Sequence, residues 1–199
     1  PCFVLDLTAT PKKESNIISY VDAVQLKNEH MVKLPVIVYN RDSQSEVLID
    51  AIDLRNKLEE IASAEYAKTG KYIRPIALFQ AQPKGKEDAT TFEKLRDKLV
   101  DAGIPAEQIA IRTADVNELK NVELMSLSCP IRYIITVNAL KEGWDCPFAY
   151  ILASLANKTS QVDVEQILGR ILRLPHTSQH TQSALNMSYV LTSSNDFNN

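Results

Sequence analysis

A chain of 199 residues, 45% hydrophobic and 24% charged, is long enough to bury one core of ordinary size and has the proportions of a globular domain rather than a disordered or fibrous one. A net charge of −3 and a sequence pI near 5.7 argue against a broad basic face for nucleic acid, so any such contact has to be local. Cys2, Cys129 and Cys146 are odd in number, far apart and form no CxxC pair, which argues against a disulfide framework or a zinc site and fits a reducing cytoplasm. No apolar run is long enough for a bilayer and no secretory pattern opens the chain, so no membrane contact is expected.

Phe3 to Leu7 reads as a strand closed by the loop Thr8-Ala9-Thr10-Pro11. The run Cys2-Phe3-Val4-Leu5 starts as a buried strand with no lead-in, and from this the chain is expected to be a piece of a longer protein. Asn16 to Asn28 has a mixed periodicity that suggests a helix, and Val32 to Tyr39 is a strand whose Pro35 suits an edge. Glu46 to Thr69 is helical, with Val47, Ala51, Leu54, Leu58 and Ile61 on one face and Gly70 as a stop. There follow a strand at Ile76 to Gln80, a helix at Thr90 to Ala102, and strands at Gln108 to Arg112, Ile131 to Val137 and Tyr150 to Leu155. A helix at Val162 to Leu172, stopped before Pro175, and a strand at Met187 to Thr192 complete the series.

Strands that alternate with helices and are apolar throughout predict an α/β fold, a mostly parallel sheet with helices on both faces. The boundary is expected at residue 40, with 1–40 the end of a preceding lobe plus a linker and 41–199 one α/β domain.

Three clusters carry potential chemistry. Besides the Thr8 loop there is Asn138-Ala-Leu-Lys-Glu-Gly143-Trp144-Asp145-Cys-Pro147, just past the strand at 131–137. Gly143 permits a close approach of the backbone, and Asp145 is expected beyond the carboxyl end of a parallel strand, where open sheets keep their binding crevice. Asp145 also suits a plain turn or cap, and Trp144 suits loop packing. The third cluster is Gln166-Ile-Leu-Gly169-Arg170-Ile-Leu-Arg173. On a helix, steps of three and four put Gln166, Gly169, Arg170 and Arg173 on one face. Two guanidiniums there suit a polyanion, whose oxygens they bind bidentately, and equally a solvated stripe or salt bridges to nearby carboxylates. Gly169 within a helix costs about 1 kcal/mol relative to Ala, which implies a close approach at that point.

Asn138-x-Leu140-x-Glu142-Gly143-x-Asp145 followed by Gln166-x-x-Gly169-Arg170-x-x-Arg173 resembles motifs V and VI of superfamily 2 helicases. Leu7-Thr8-Ala9-Thr10-Pro11 is similar to motif III, at the end of a first RecA-like lobe, and Ala77-Leu78-Phe79-Gln80 to motif IV. The stretch from Ile134 to Tyr150 is most like the restriction (Res) subunit of type III restriction-modification enzymes.

The resemblance implies that residues 41–199 form a second RecA-like lobe, of P-loop-NTPase type, in an ATP-dependent DNA translocase. Arg173 and Arg170 would serve as arginine fingers, with Gln166 orienting groups at the γ-phosphate or holding the fingers in place, while Gly143 and Asp145 would contact the ribose or tie motif V to motif VI and Gly169 would face the nucleotide. Thr8, Ala9 and Thr10 would couple nucleotide state to the DNA path, and Phe79, Gln80, Thr136 and Asn138 would line that path. The implied cofactors are ATP and Mg²⁺, held jointly with a first lobe. The implied partners are double-stranded DNA, that first lobe and a methyltransferase subunit.

Against the family pattern, the chain contains no GxxxxGK[ST] and no DExH-type pair ahead of Thr8, so it is expected to be inactive in isolation. The alternative is a non-catalytic module of helicase ancestry that binds nucleic acid or protein. His176 and His180 have a metal-compatible spacing but no third ligand, so no metal is expected.

Overall fold

The computed structural model describes residues 16–83, 90–137, 145–155, 169 and 171–193. Six short runs become strands: β1 (Val36–Asn40), β2 (Ile76–Gln80), β3 (Ile109–Ile111), β4 (Tyr133–Thr136), β5 (Ala149–Ser154) and β6 (Ser188–Thr192). All residues of β2 to β6 are buried, as expected of apolar strands covered on both faces. They form one sheet in the order β1-β6-β5-β2-β4-β3, and every neighbouring pair is parallel. The α/β fold with a parallel sheet expected from the sequence is therefore present.

β1 is the edge strand, as Pro35 suggested, and runs in register with β6 from Val36–Ser188 to Asn40–Thr192. The stretch expected to be linker thus contributes a strand to the same sheet. α1 (Ala23–Asn28) is shorter than the expected helix, because Asp22 and Gln25 form a capping box that starts it there. Ahead of it Ile17, Ile18, Tyr20 and Val21 are exposed.

α2 (Gln44–Thr69) starts where the Ser43 side chain accepts from the Glu46 amide. It ends at Gly70, whose φ of 70° lets its amide reach the Tyr66 carbonyl at 2.8 Å. Its buried Val47, Ala51, Leu58 and Ala62 lie against β2, β5 and β6. α3 (Phe92–Asp101), capped by Thr91, buries Leu95 and Leu99 and packs on β4.

From β2 the chain moves outward to β3 and returns to β4; from β5 it moves the other way, to β6. The direction reverses between β2 and β5, and the carboxyl ends of those strands form the switch point at which parallel sheets bind ligands. Among the described residues no helix is long and apolar enough to cross a membrane, and no group of three or more His, Cys, Asp or Glu side chains is placed to hold a metal. The strand expected at Phe3 to Leu7 and most of the helix expected at 162–172 lie outside the described residues; Gly169 and Ile171 are helical.

Candidate functional site

At the carboxyl end of the sheet, Gln80, Thr136 and Ser154 close β2, β4 and β5. The Ser154 hydroxyl donates to Gln80 Oε1 at 3.0 Å. Gln82 donates through Nε2 to the Leu155 carbonyl at 2.8 Å and accepts the Thr90 amide at 3.0 Å. Gln44, at the start of α2, donates to the same Leu155 carbonyl and accepts the Thr90 hydroxyl. Among the described residues the network is made of amides and hydroxyls.

Phe79, Gln80 and Thr136, expected along a nucleic-acid path, are only 0%, 5% and 1% exposed. The reason is positional. β2 is flanked by β4 and β5, so the Phe79 ring packs into the core at 6.3 Å from Tyr133, while Gln80 and Thr136 point into covered strand ends. No side-chain surface remains there for a base to stack on or pair with.

The charged cluster lies at the opposite end. Asp145 follows β4 in the chain, as expected, yet the structure places it at the amino end of the sheet, four residues ahead of Ala149 in β5. Its Oδ2 accepts from Arg173 Nη1 at 2.6 Å, in a pair whose side chains are 41% and 63% exposed. Ends of the second and third clusters therefore meet.

Arg173 is not on the helix face assigned to it. The helix has ended by Leu172, and Arg173 forms an antiparallel bridge with Val32. One cause is local, since Leu174 precedes Pro175 and is extended; the other is long-range, since the Lys33 amide donates to the Leu172 carbonyl and the Leu174 amide to the Met31 carbonyl. Gly169 is exposed, and a Cβ built there would meet nothing within 4 Å, so packing within the chain does not account for the glycine. Thr8, Ala9, Thr10, Asn138, Gly143, Gln166 and Arg170 lie outside the described residues.

The sequence reading missed Lys33. It is 0% exposed, and its ammonium donates to the carbonyls of Pro147 (2.8 Å), Ala149 (2.9 Å) and Arg173 (2.8 Å). Nζ also stands 4.3 Å from the centroid of the Tyr150 ring. Burial brings its pKa down to about 7, against the opposing pull of Cys146 and Asp145. Burial likewise pushes the Cys146 thiol up to about 11, so it is not a poised nucleophile. The one signal for Lys33 was a lone charge inside the otherwise apolar run Met31-Val32-Lys33-Leu34-Pro35-Val36.

Arg74 and Glu65 are buried at this end as well. Arg74 donates to the carbonyls of Ile131 (2.9 Å), Ser126 (2.8 Å) and Leu124, tying the 124–131 loop to the entry of β2. Glu65, near the end of α2, accepts both the amide and the hydroxyl of Thr181, and His180 lies beside it with Nδ1 3.8 Å from Oε1. Neither ring nitrogen of His180 has a hydrogen-bond partner. His176 Nε2 is 2.8 Å from the Tyr72 carbonyl, so its ring is committed to the backbone.

No protein-family model matches the chain, and no curated protein matches its sequence.

Proposed function

We propose that this chain is the second motor lobe of a superfamily 2 helicase or translocase, most similar to the restriction subunit of a type III restriction-modification system. The observation that carries the reading is the Asp145–Arg173 pair, which joins the ends of the two motif-like clusters on an accessible face. A parallel sheet in which the chain adds strands first to one side of β2 and then to the other supports a RecA-like lobe without being specific to it.

In this reading ATP and Mg²⁺ are gripped mainly by a first lobe that carries the phosphate loop missing from these 199 residues. The residues present fit a supporting role. A guanidinium has five N–H donors in a planar fork, and with Nη1 turned to Asp145 the rest of the fork remains on the exposed side, suited to phosphate oxygens. Asp145 holds that fork in one orientation, so that it need not reorganise as charge develops on the transferring group. The resemblance assigns Arg170 and Gln166 to the finger set, Gly143 and Asp145 to a contact with the ribose or a tie between the two motifs, and Thr8 and Thr10 to the relay of nucleotide state. DNA would pass over loops leaving the carboxyl strand ends, since Phe79, Gln80 and Thr136 are themselves covered. A net charge of −3 restricts that contact to a few groups.

The test is Arg173→Ala in the polypeptide that joins this lobe to the phosphate-binding one. DNA-stimulated ATP turnover should fall by about 10³-fold or more, the range in which arginine fingers act, with an unchanged circular dichroism spectrum. Normal turnover in that variant would eliminate the finger and leave the non-catalytic binding module, which the acidic balance of the chain favours.

A further inference from the structure

We infer that Lys33 is the positioning residue of the Asp145–Arg173 pair, setting the separation of the two backbone segments from which those side chains project. An ammonium has three N–H donors, and here each meets a different carbonyl. Two of these, on Pro147 and Ala149, lie just after Asp145; the third is the carbonyl of Arg173 itself. The backbone of Lys33 works on the same target. Its amide donates to Leu172, and the amide of Leu174 donates to Met31, so the residue bearing the guanidinium is held on both sides as well as through its own carbonyl. No other described side chain donates to both segments.

The cage is particular to a charged amine. A neutral amine has two N–H donors and must release one of the three carbonyls, and an apolar replacement releases all three. Among the described residues, Asp145 and Cys146 ahead of β5, Tyr150 within β5, and Arg173 on the segment bridged to Val32 are the titratable and charged groups around the amine. Because burial holds the pKa near 7, the cage changes occupancy close to neutral pH. The consequence for ATP turnover rests on the arginine-finger reading above, whereas the positioning rests on the carbonyl cage alone.

The experiment follows the Arg173 Nε–Hε signal of the full chain by nuclear magnetic resonance from about pH 6 to about pH 9. In the unaltered protein the signal should shift with a midpoint close to 7. In Lys33→Arg, whose guanidinium stays charged throughout, it should not shift. In Lys33→Met it should collapse to the position of a freely solvated arginine while the amide signals of Leu78 and Ile134 stay in place. A signal that survives Lys33→Met would overturn the positioning role. Should Lys33→Met fail to fold, Lys33→Gln, which keeps two N–H donors and cannot hold all three carbonyls, is read by the same signal, and an unmoved signal there overturns the role.

Joined to the phosphate-binding lobe, Lys33→Met should lower kcat by about 100-fold, the scale of a misplacement of about 1 Å, with KM for ATP little changed. Lys33→Arg should retain turnover and lose the decline above neutral pH. Resonance behaviour as expected with turnover indifferent to every Lys33 variant would overturn the finger and keep the positioning.

Discussion

The two ends of one parallel sheet use different chemistry to close it. At the carboxyl end, Gln44, Gln80, Gln82, Thr90 and Ser154 satisfy one another and the Leu155 carbonyl with neutral groups. At the amino end, Lys33, Arg74 and Glu65 are buried as charged types and are held by backbone carbonyls, amides and a hydroxyl. A neutral network holds its segments alike at any moderate pH. A charged one holds more strongly, because each hydrogen bond is charge-assisted, but its strength depends on protonation and on every partner staying in place. The end that carries the exposed Asp145–Arg173 pair is thus the one with the more demanding foundation.

The largest effect is expected where a buried charge is removed outright. Arg74→Met leaves the carbonyls of Leu124, Ser126 and Ile131 without their donor and should cost about 3–5 kcal/mol of unfolding free energy, read from urea denaturation. A loss under about 1 kcal/mol would mean that water replaces the guanidinium, and that the amino end is less dependent on its charges than the comparison holds.

Acid should then separate the two ends. Burial lowers the His180 pKa below its ordinary value, and although Glu65 pulls it back up, the net shift is down. Burial of Glu65 opposes its ionisation, but the Thr181 hydroxyl and amide and the neighbouring His180 outweigh it and hold the carboxyl below its usual value. Both folded groups bind protons less readily than the unfolded chain. The His180 contribution is therefore complete above the unfolded value of 6.5 and is lost as pH falls below it; the Glu65 contribution is complete above 4.5 and is lost further down. The denaturation midpoint should fall between about pH 7.5 and about pH 5.5, and His180→Leu should flatten that fall. Gln82→Leu, at the other end, should lower stability by about 2 kcal/mol equally at both pH values. A pH-dependent Gln82 effect would break the contrast.

How much of this was legible in the sequence depends on whether the signal is local. The helix at 44–69 shows its apolar face and its Gly70 stop, and the strand at 76–80 matches to the residue, because periodicity and caps are written into neighbouring positions. Edge placement of β1 followed from Pro35, which lies next to it. The pairing of Asp145 with Arg173 lay within what the two motifs implied, but its location did not. Thr136 ends β4 at the carboxyl end of the sheet and Asp145, eight intervening residues later, lies at the amino end; no residue pattern distinguishes that placement from one that stays at the carboxyl end. Arg173 left the expected helix face because Met31 and Lys33, over a hundred residues away, take the backbone groups beside it. Lys33 itself showed only as a charge in an apolar run, since a carbonyl cage has no side-chain signature.

The smallest stability effect is the most discriminating for function. Asp145→Asn removes the carboxylate from a pair that is largely in water, where an ion pair contributes at most about 1 kcal/mol, so the denaturation midpoint should barely move. An exposed pair adds little to the fold, yet here two clusters with a shared chemical logic converge on it, and a buried lysine ties both of their backbones together. If the pair exists to orient the Arg173 fork, Asp145→Asn should reduce ATP turnover in the two-lobe polypeptide while leaving unfolding unchanged, and Asp145→Glu should recover only part of the loss, because a side chain longer by one methylene holds the fork less rigidly. Turnover that tracked stability in both variants, small change with small change, would reduce the pair to a surface contact and remove the amino end of the sheet from the chemistry.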